Sequence, residues 1–263
     1  MKLIKAFQKL LMEFSQKEVK HYIGLGNPNA KILIIGKECA HEEGSTSEQQ
    51  ECSNNYNQWM NLVEKGHGFI NEEEIPQWDG SWETFCPFAP YNKPQRFTIE
   101  RKKGDKIISG AGGTSATWYN YQKLINYIRE LGKLDNPVNT STIDFYKDCF
   151  ITELNEKCRV NNYGLSVKER QETEENIRQR FDLMKEKEIK SFWSHFETVI
   201  LACGPYADAL RKDQQLTRDI FGDAKVISTI NNRNVPQLSI AISNELLREI
   251  AKQVEIKNQH TLR

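Results

Sequence analysis

Four short aliphatic runs, separated by longer segments with helical periodicity, set the pattern of hydrophobic and polar positions along the chain. The runs cover residues 30–36, 150–155, 198–204 and 225–230. Aliphatic runs of this length are typical of buried parallel strands, because both faces of such a strand pack against helices. Their alternation with helical segments predicts an α/β fold with three layers (α/β/α), in which helices cover both faces of a four-stranded parallel sheet.

Apolar residues at three- and four-residue spacing predict the helices. Residues 1–16 form the first, and lysines interrupt its apolar face, which predicts a docking helix and neither a signal peptide nor a membrane span. A short helix is expected near Trp59, after a polar loop over residues 42–58. The other predicted helices begin at Thr114 or Ser115, which could act as N-cap, run over about 167–192, and cover 237–254.

Residues 66–113 interrupt this pattern. The stretch is irregular, contains several prolines, and carries aromatic residues such as Trp78 and Trp82. A loop region of this length inside a compact domain is usually functional or disordered, and its aromatic content argues against disorder. At 263 residues the chain suits one large α/β domain, so we expect a single domain over residues 1–263 with an insertion at about 66–113.

Charge is balanced over the whole chain but not within this insertion. The 36 basic and 36 acidic residues cancel, so any nucleic-acid partner must be met by a local patch. Residues 93–106 carry six basic residues against two acidic ones, and the basic ones are Lys93, Arg96, Arg101, Lys102, Lys103 and Lys106. This patch has the charge that a phosphate-tracking DNA surface needs, and it is equally typical of a solvated hairpin.

The cysteines point to a reducing compartment. None of the six forms a C-x-x-C pair, which favours reduced thiols over a metal or iron–sulfur site. With no signal peptide and no membrane span in the pattern, we expect a cytoplasmic protein without a metal and without a membrane partner.

Polar residues follow the predicted strands at their carboxyl ends, where ligands bind in open α/β sheets. Glu38 and His41 come directly after the first strand and are the first candidates for chemistry. Residues 24–29 precede that strand, so they predict a tight turn, since a dinucleotide-binding glycine loop would follow a strand. Each candidate also has a plainer interpretation, Glu38 as an ordinary loop acid and His41 as a surface residue.

In order along the chain, the strand ends resemble the motifs of the uracil-DNA glycosylase superfamily. Gly36-Lys37-Glu38-Cys39-Ala40-His41 stands in place of its G-Q-D-P-Y-H motif, and Leu154-Asn155-Glu156-Lys157-Cys158-Arg159-Val160 resembles its L-N-x-x-x-x-V motif. Residues 202–207 are similar to the family's glycine-x-x-alanine turn, and residues 88–90 stand where a family phenylalanine stacks on the base. The resemblance covers about residues 23–250 and implies an active site at the ends of a four-stranded parallel sheet.

The resemblance implies a role for each matching residue. Glu38 takes the position of the water-orienting aspartate, and Asn155 that of the asparagine that reads the Watson–Crick edge of a flipped base. Phe85 or Phe88 would stack on that base. The remaining site residues are His41 and Asn231 as catalytic candidates and Lys93, Arg96, Arg101, Lys102, Lys103, Lys157, Arg159 and Arg233 as DNA-binding candidates. Asn155 and Asn231 could equally be capping or turn residues.

Two departures from the family pattern point away from plain uracil. Asn231-Asn232-Arg233 follows the fourth strand where the family has H-P-S, so Asn231, or Asn234, can donate a hydrogen bond to the departing base but cannot become charged. Residues 37–40 also lack the proline and tyrosine that shape a uracil pocket. The resemblance therefore implies a monofunctional DNA glycosylase for a modified pyrimidine, by analogy with superfamily enzymes that attack modified cytosines in phage DNA.

The expected reaction leaves an abasic site and needs no cofactor. The expected partner is single- or double-stranded DNA with a flipped base, and the protein is expected to bind it as a monomer. Two alternatives stay open. The missing histidine motivates a glycosylase-shaped module that binds nucleic acid or a partner protein without catalysis, and the neutral net charge motivates a hydrolase or transferase for a nucleotide-like small molecule.

Overall fold

The computed structural model describes most of the chain outside the insertion and parts of the insertion itself. The described residues are 1–38, 40–41, 47–66, 70, 75, 85–89, 97–103, 106–112, 114–157, 159–160, 165–239 and 241–257. For residues 40–41, 47–53, 64–66, 97–103, 106–112 and 159–160, only the backbone is described.

Helices and strands alternate along most of the described chain. The helices are α1 Lys5–Gln16, α2 Ser47–Gly66, α3 Ala116–Glu130, α4 Val167–Lys185, α5 Lys187–Trp193, α6 Asp208–Lys212, α7 Gln214–Phe221 and α8 Asn244–Gln253. The strands are β1 Leu25–Gly26, β2 Ile32–Gly36, β3 Ala40–His41, β4 Phe97–Lys103, β5 Lys106–Gly112, β6 Cys149–Glu153, β7 Arg159–Val160, β8 Thr198–Leu201, β9 Lys225–Ile227, β10 Thr229–Ile230 and β11 Arg233–Asn234. Short 3-10 helices cover Phe145–Lys147 and Gly204–Ala207.

The central sheet has five strands in the order β1-β6-β2-β8-β9. The last four run parallel to one another, which confirms the parallel strands expected from the aliphatic runs. In the register of the sheet, Gly36 of β2 pairs with Glu153 of β6, and Ile35 pairs with Leu201 of β8. The carboxyl ends of the three strands therefore lie at one edge of the sheet.

Both faces of the sheet are buried, which confirms the three-layer α/β/α prediction. Leu33 and Ile35 of β2 point into the larger core, which α1, α2 and α4–α7 cover. Ile32 and Ile34 point into the smaller core beneath α3 and α8. All four side chains are fully buried. Each packs against a helical layer, which is why these four positions of β2 are all apolar.

The fifth strand corrects the prediction of four. β1 pairs antiparallel with β6 at the edge of the sheet, in a segment where a tight turn was expected. Gly24 has φ +138°, and a Cβ there would collide with the carbonyl oxygen of Ile151. Asn55 and Trp59 of α2 donate to the Gly24 carbonyl at 2.9 and 2.8 Å, so long-range contacts hold this segment against the sheet.

Several element boundaries also differ from the predictions. The helix α2 starts at Ser47, inside the expected polar loop, because Glu and Gln residues favour helix despite their polarity. The helix expected over 167–192 breaks at Glu186, which has an extended ψ of 131°. The helix α8 begins only after Ser243, whose side chain accepts from the N–H of Leu246. Ser115 caps α3 as predicted and accepts from the N–H of Trp118 at 3.2 Å.

Part of the stretch expected to be irregular is a hairpin. The strands β4 and β5 pair antiparallel from Phe97 with Gly112 to Lys103 with Lys106. The backbone confirms a hairpin in the basic stretch, while its solvation and its role as a DNA surface both stay predictions.

Two further observations concern the cysteines and the membrane. Within the described chain, Cys86, Cys149 and Cys203 are buried free thiols. None of the described helices combines the length and the apolar character that crossing a bilayer requires.

Candidate functional site

The candidate site lies at the carboxyl edge of the sheet, around the end of β2. The chain continues from β2 to β6 on one side of it and later to β8 on the other, so the strand order reverses at β2. Ligands of open α/β sheets bind in the crevice at such a switch point. The residues that follow β2 and β8 therefore occupy the expected position for chemistry.

Glu38 and Tyr206 meet in this crevice. Glu38 lies two residues beyond the end of β2, and Tyr206 lies in the 3-10 helix that follows β8. The Tyr206 hydroxyl donates to Glu38 Oε1 at 3.3 Å. Lys37 Nζ lies 5.1 Å from the centroid of the Tyr206 ring, within cation–π range. Glu38 is half-buried as a residue, and its Oε2 atom is buried.

Asn155 lies next to this pair at the end of β6. Its backbone N–H donates to the carbonyl of Lys37, the residue before Glu38 in the segment after β2, at 3.0 Å. Its side chain is 2% exposed, and its Oδ1 accepts from the N–H of Lys157 at 3.2 Å. The predicted turn role is therefore present. The Nδ2 group of the same side chain is the part able to donate to a base.

Cys203, two residues after β8, lies near these groups, because the charges of Lys37 and Glu38 act on its thiol. It is fully buried, and burial is the main reason why the pKa of its thiol rises to about 12, with Arg211 and Lys37 opposing the rise. The thiol stays protonated at neutral pH, and the thiolate is the nucleophilic form. Cys203 packs in the larger core, and its raised pKa disfavours the thiolate form.

Asn231 lies at the turn of a hairpin. It is exposed and, with Asn232, links β10 to β11. Both residues have positive φ, 50° and 61°, as a type I′ turn requires. The carbonyl of Val235, just beyond β11, accepts from the N–H of Gly204 at 3.0 Å, so the base of the hairpin contacts the turn after β8. The catalytic role of Asn231 stays a prediction, with a turn role established beside it.

The aromatic candidates lie in the part of the insertion that packs on the core. Phe88 is 2% exposed and belongs to the larger core, and Phe85 is half-buried. Pro87 accepts from the N–H of Gly26 at 2.7 Å, which ties this segment to β1. The burial of Phe88 favours a core role, and base stacking stays a prediction for both rings.

The basic candidates are spread over several elements. Lys157 and Arg233 are exposed, at the turn after β6 and in β11. Arg101, Lys102 and Lys103 lie on β4, with only their backbone described, and Lys93 and Arg96 lie outside the described residues. His41 and Arg159 lie in β3 and β7, which pair in parallel and so join the loops that follow β2 and β6.

Sequence reasoning missed a second polar network at the same edge. His21 Nδ1 lies 2.8 Å from Glu156 Oε2, and Arg180 forms an ion pair with Glu156. Arg180 also donates to the carbonyl of Tyr22 at 2.9 Å and to Thr152 Oγ1 at 3.2 Å. Burial tends to raise the pKa of Glu156, but the Arg180 charge and His21 outweigh it and lower the pKa. The network braces the turn that carries Asn155.

The signal for these missed residues was weak. Tyr206 follows a predicted strand and could have been chosen by the rule that selected Glu38. Arg180 sits among many charged residues of α4, and nothing in the local sequence separates it from its exposed neighbour Arg178.

The described side chains include no group of three or more His, Cys, Asp and Glu residues arranged to hold a metal ion. The sequence was compared with protein-family models and with curated proteins, and the structure with solved structures; none of them matches this chain. The site is therefore defined by its own geometry, as an acid held at the switch point of an α/β sheet.

Proposed function

We propose that this protein is a DNA glycosylase that hydrolyses the N-glycosidic bond of a flipped, modified pyrimidine and leaves an abasic site. The observation that carries the proposal is the position of Glu38, a half-buried carboxylate at the end of β2 with Tyr206 on one side and Asn155 on the other. The motifs at the successive strand ends, which resemble those of the uracil-DNA glycosylase superfamily, supply the reaction class.

The chemistry requires a carboxylate near the anomeric carbon. Cleavage of the bond builds positive charge on the sugar and negative charge on the base. Glu38 would orient the attacking water and offset the charge on the sugar. Its hydrogen bond from Tyr206 limits its rotation, which favours one direction of approach.

The departing base would need a hydrogen-bond donor. Asn155 Nδ2 is the first candidate, because the Asn155 backbone N–H is hydrogen-bonded to Lys37, the residue before Glu38. Asn231 is the second candidate, on the hairpin whose base meets Gly204 through Val235. Both are neutral donors, so the enzyme would suit a base whose anion needs less stabilisation than that of uracil.

The test is excision on a panel of single- and double-stranded oligonucleotides that carry uracil or modified cytosines, followed by alkali. We expect strand breaks with at least one modified cytosine, and a loss of about 100-fold or more in Glu38→Gln. Glu174→Gln, an exposed carboxylate of α4, is the matched control and should keep the full rate. Breaks that persist in Glu38→Gln would refute the role of this carboxylate.

A second candidate function is a module that binds nucleic acid without catalysis. The exposed turn position of Asn231, together with the absent histidine, favours it. Binding of the same oligonucleotides with no break on any of them would support this function and contradict the glycosylase.

A further inference from the structure

A pocket lies along the edge strand β9, between α6, α7, the carboxyl end of β8 and the residues 222–224 that precede β9. Its volume is about 450 Å³, within the range of small-molecule sites. The apolar part of its wall includes Leu201, Leu210 and Val226, and the polar part includes Arg211, Thr217 and Arg218. Leu201 and Ser228 place one end of the pocket at the carboxyl edge of the sheet, the edge that carries Glu38, and residues 222–224 place its other end before β9.

Arg211 joins this pocket to the candidate site. Its Nη2 donates to the carbonyl of Gly204 at 2.8 Å and pairs with Asp208, and its side chain is 12% exposed. The guanidinium is therefore fixed in direction before any ligand arrives, which lowers the entropic cost of binding an anion.

Arg218 supplies the charge that is available to a ligand. It is exposed, and in the part of the chain that the structure describes its side chain forms no ion pair and no hydrogen bond. Asp223 also lines the pocket and opposes anion binding in part, while Asp208 already engages Arg211. Binding should accordingly be moderate and should depend most on Arg218.

We propose that this pocket is a nucleoside-phosphate site, in which Arg218 and Arg211 bind the phosphate group and the apolar wall accommodates sugar or base. The volume exceeds what a phosphate ion alone would fill, and the apolar residues would gain nothing from an inorganic anion. The phosphate can belong to a free nucleotide or to the end of a DNA strand. The site is independent of base excision, because none of its contacts needs Glu38.

The test measures binding of deoxycytidine monophosphate by calorimetry, with amide chemical shifts of Thr217 and Ser228 to locate it in the pocket. We expect saturable binding with a dissociation constant of about 1 mM or tighter, and at least tenfold weaker binding of deoxycytidine, which lacks the phosphate. Arg218→Gln should weaken nucleotide binding about tenfold. Arg248→Gln, an exposed arginine on α8 at the opposite face, should leave it unchanged.

Competition identifies the source of the phosphate. If an oligonucleotide with a 5′-phosphate displaces the nucleotide and one with a 5′-hydroxyl does not, the phosphate belongs to a strand end. If neither oligonucleotide displaces it, the ligand is a free nucleotide. No saturable nucleotide binding up to about 10 mM, ten times the weakest expected constant, overturns the proposal. Equal affinity in Arg218→Gln and the native protein also overturns it. The probes carry no modified base, so failure here and failure of excision are separate results.

Discussion

Glu38 shows how far a single residue can be interpreted from its place in the sequence. Its position beyond an aliphatic run predicts the carboxyl edge of the sheet, and the structure places it there. Its hydrogen-bond partner Tyr206 lies 168 residues further along the chain. That contact depends on β2 and β8 being neighbours in register, which is decided by the packing of the whole sheet and not by either local sequence.

The hydrogen bond between Tyr206 and Glu38 should matter for rate and little for stability. Tyr206→Phe keeps the ring beside Lys37 and removes only the hydroxyl. A hydrogen bond of this kind contributes a net free energy of about 0.5–1.5 kcal/mol. Its loss should slow excision at saturating DNA roughly two- to tenfold and leave KM unchanged. Single-turnover kinetics and thermal melting measure the two effects. A full rate, or a slower rate with a clearly lower melting temperature, would contradict a positioning role.

The hairpin of β10 and β11 is an element whose structure differs from the single strand predicted for its first half. The aliphatic run at 225–230 predicts one strand, but it divides at Ser228 into β9 in the sheet and β10 in the hairpin. The carbonyl of Ser228 accepts from the N–H of Val235, which closes the hairpin. Two consecutive asparagines suit its turn because asparagine tolerates positive φ better than most residues.

Asn231→Gly separates the turn role of this residue from a catalytic one. Glycine accepts φ of 50° without strain, so the hairpin should persist and the melting temperature should stay within about 2 °C. If the side-chain amide stabilises the departing base, excision should fall by about tenfold or more. Asn232→Gly, the neighbouring turn position, is the matched control and should keep its rate. Equal rates in both variants would leave Asn231 with its turn role alone.

At the scale of the whole molecule, local patterns predict the layers but not the lateral order of the strands. Aliphatic runs identify β2, β6, β8 and β9 because burial on both faces demands apolar residues. The edge strand β1 has two residues, of which one is glycine, so it carries no such signal. Its place depends on Asn55 and Trp59 of α2, and contacts between distant segments have no local signature.

The buried ionic network is a second property of the whole fold, because it joins three distant segments. His21 follows α1, Glu156 follows β6, and Arg180 lies in α4 with its side chain 1% exposed. Removing one partner of a buried pair leaves the other charge without compensation. The network therefore ties the segment before β1 and the turn that carries Asn155 to the helical layer.

The lowered pKa of Glu156 makes this network a source of acid sensitivity. A carboxyl whose pKa is lower in the folded state contributes stability above its unfolded pKa of about 4.3, and the contribution is lost as pH falls through the folded value. Glu156→Gln should lower the free energy of unfolding by about 3 kcal/mol at pH 7, because Arg180 loses its partner. The same variant should lose less stability than the native protein between about pH 5 and pH 3.

Urea unfolding at several pH values measures both effects, with Glu174→Gln as the exposed control. The deficit of Glu156→Gln should shrink on acidification, because the native protein loses the same charge by protonation and Arg180 then lacks its ionic partner in both proteins. The control should follow the native curve at every pH. A deficit that stays constant down to pH 3 would mean that Glu156 acts by packing and hydrogen bonding, and would contradict the role of its charge.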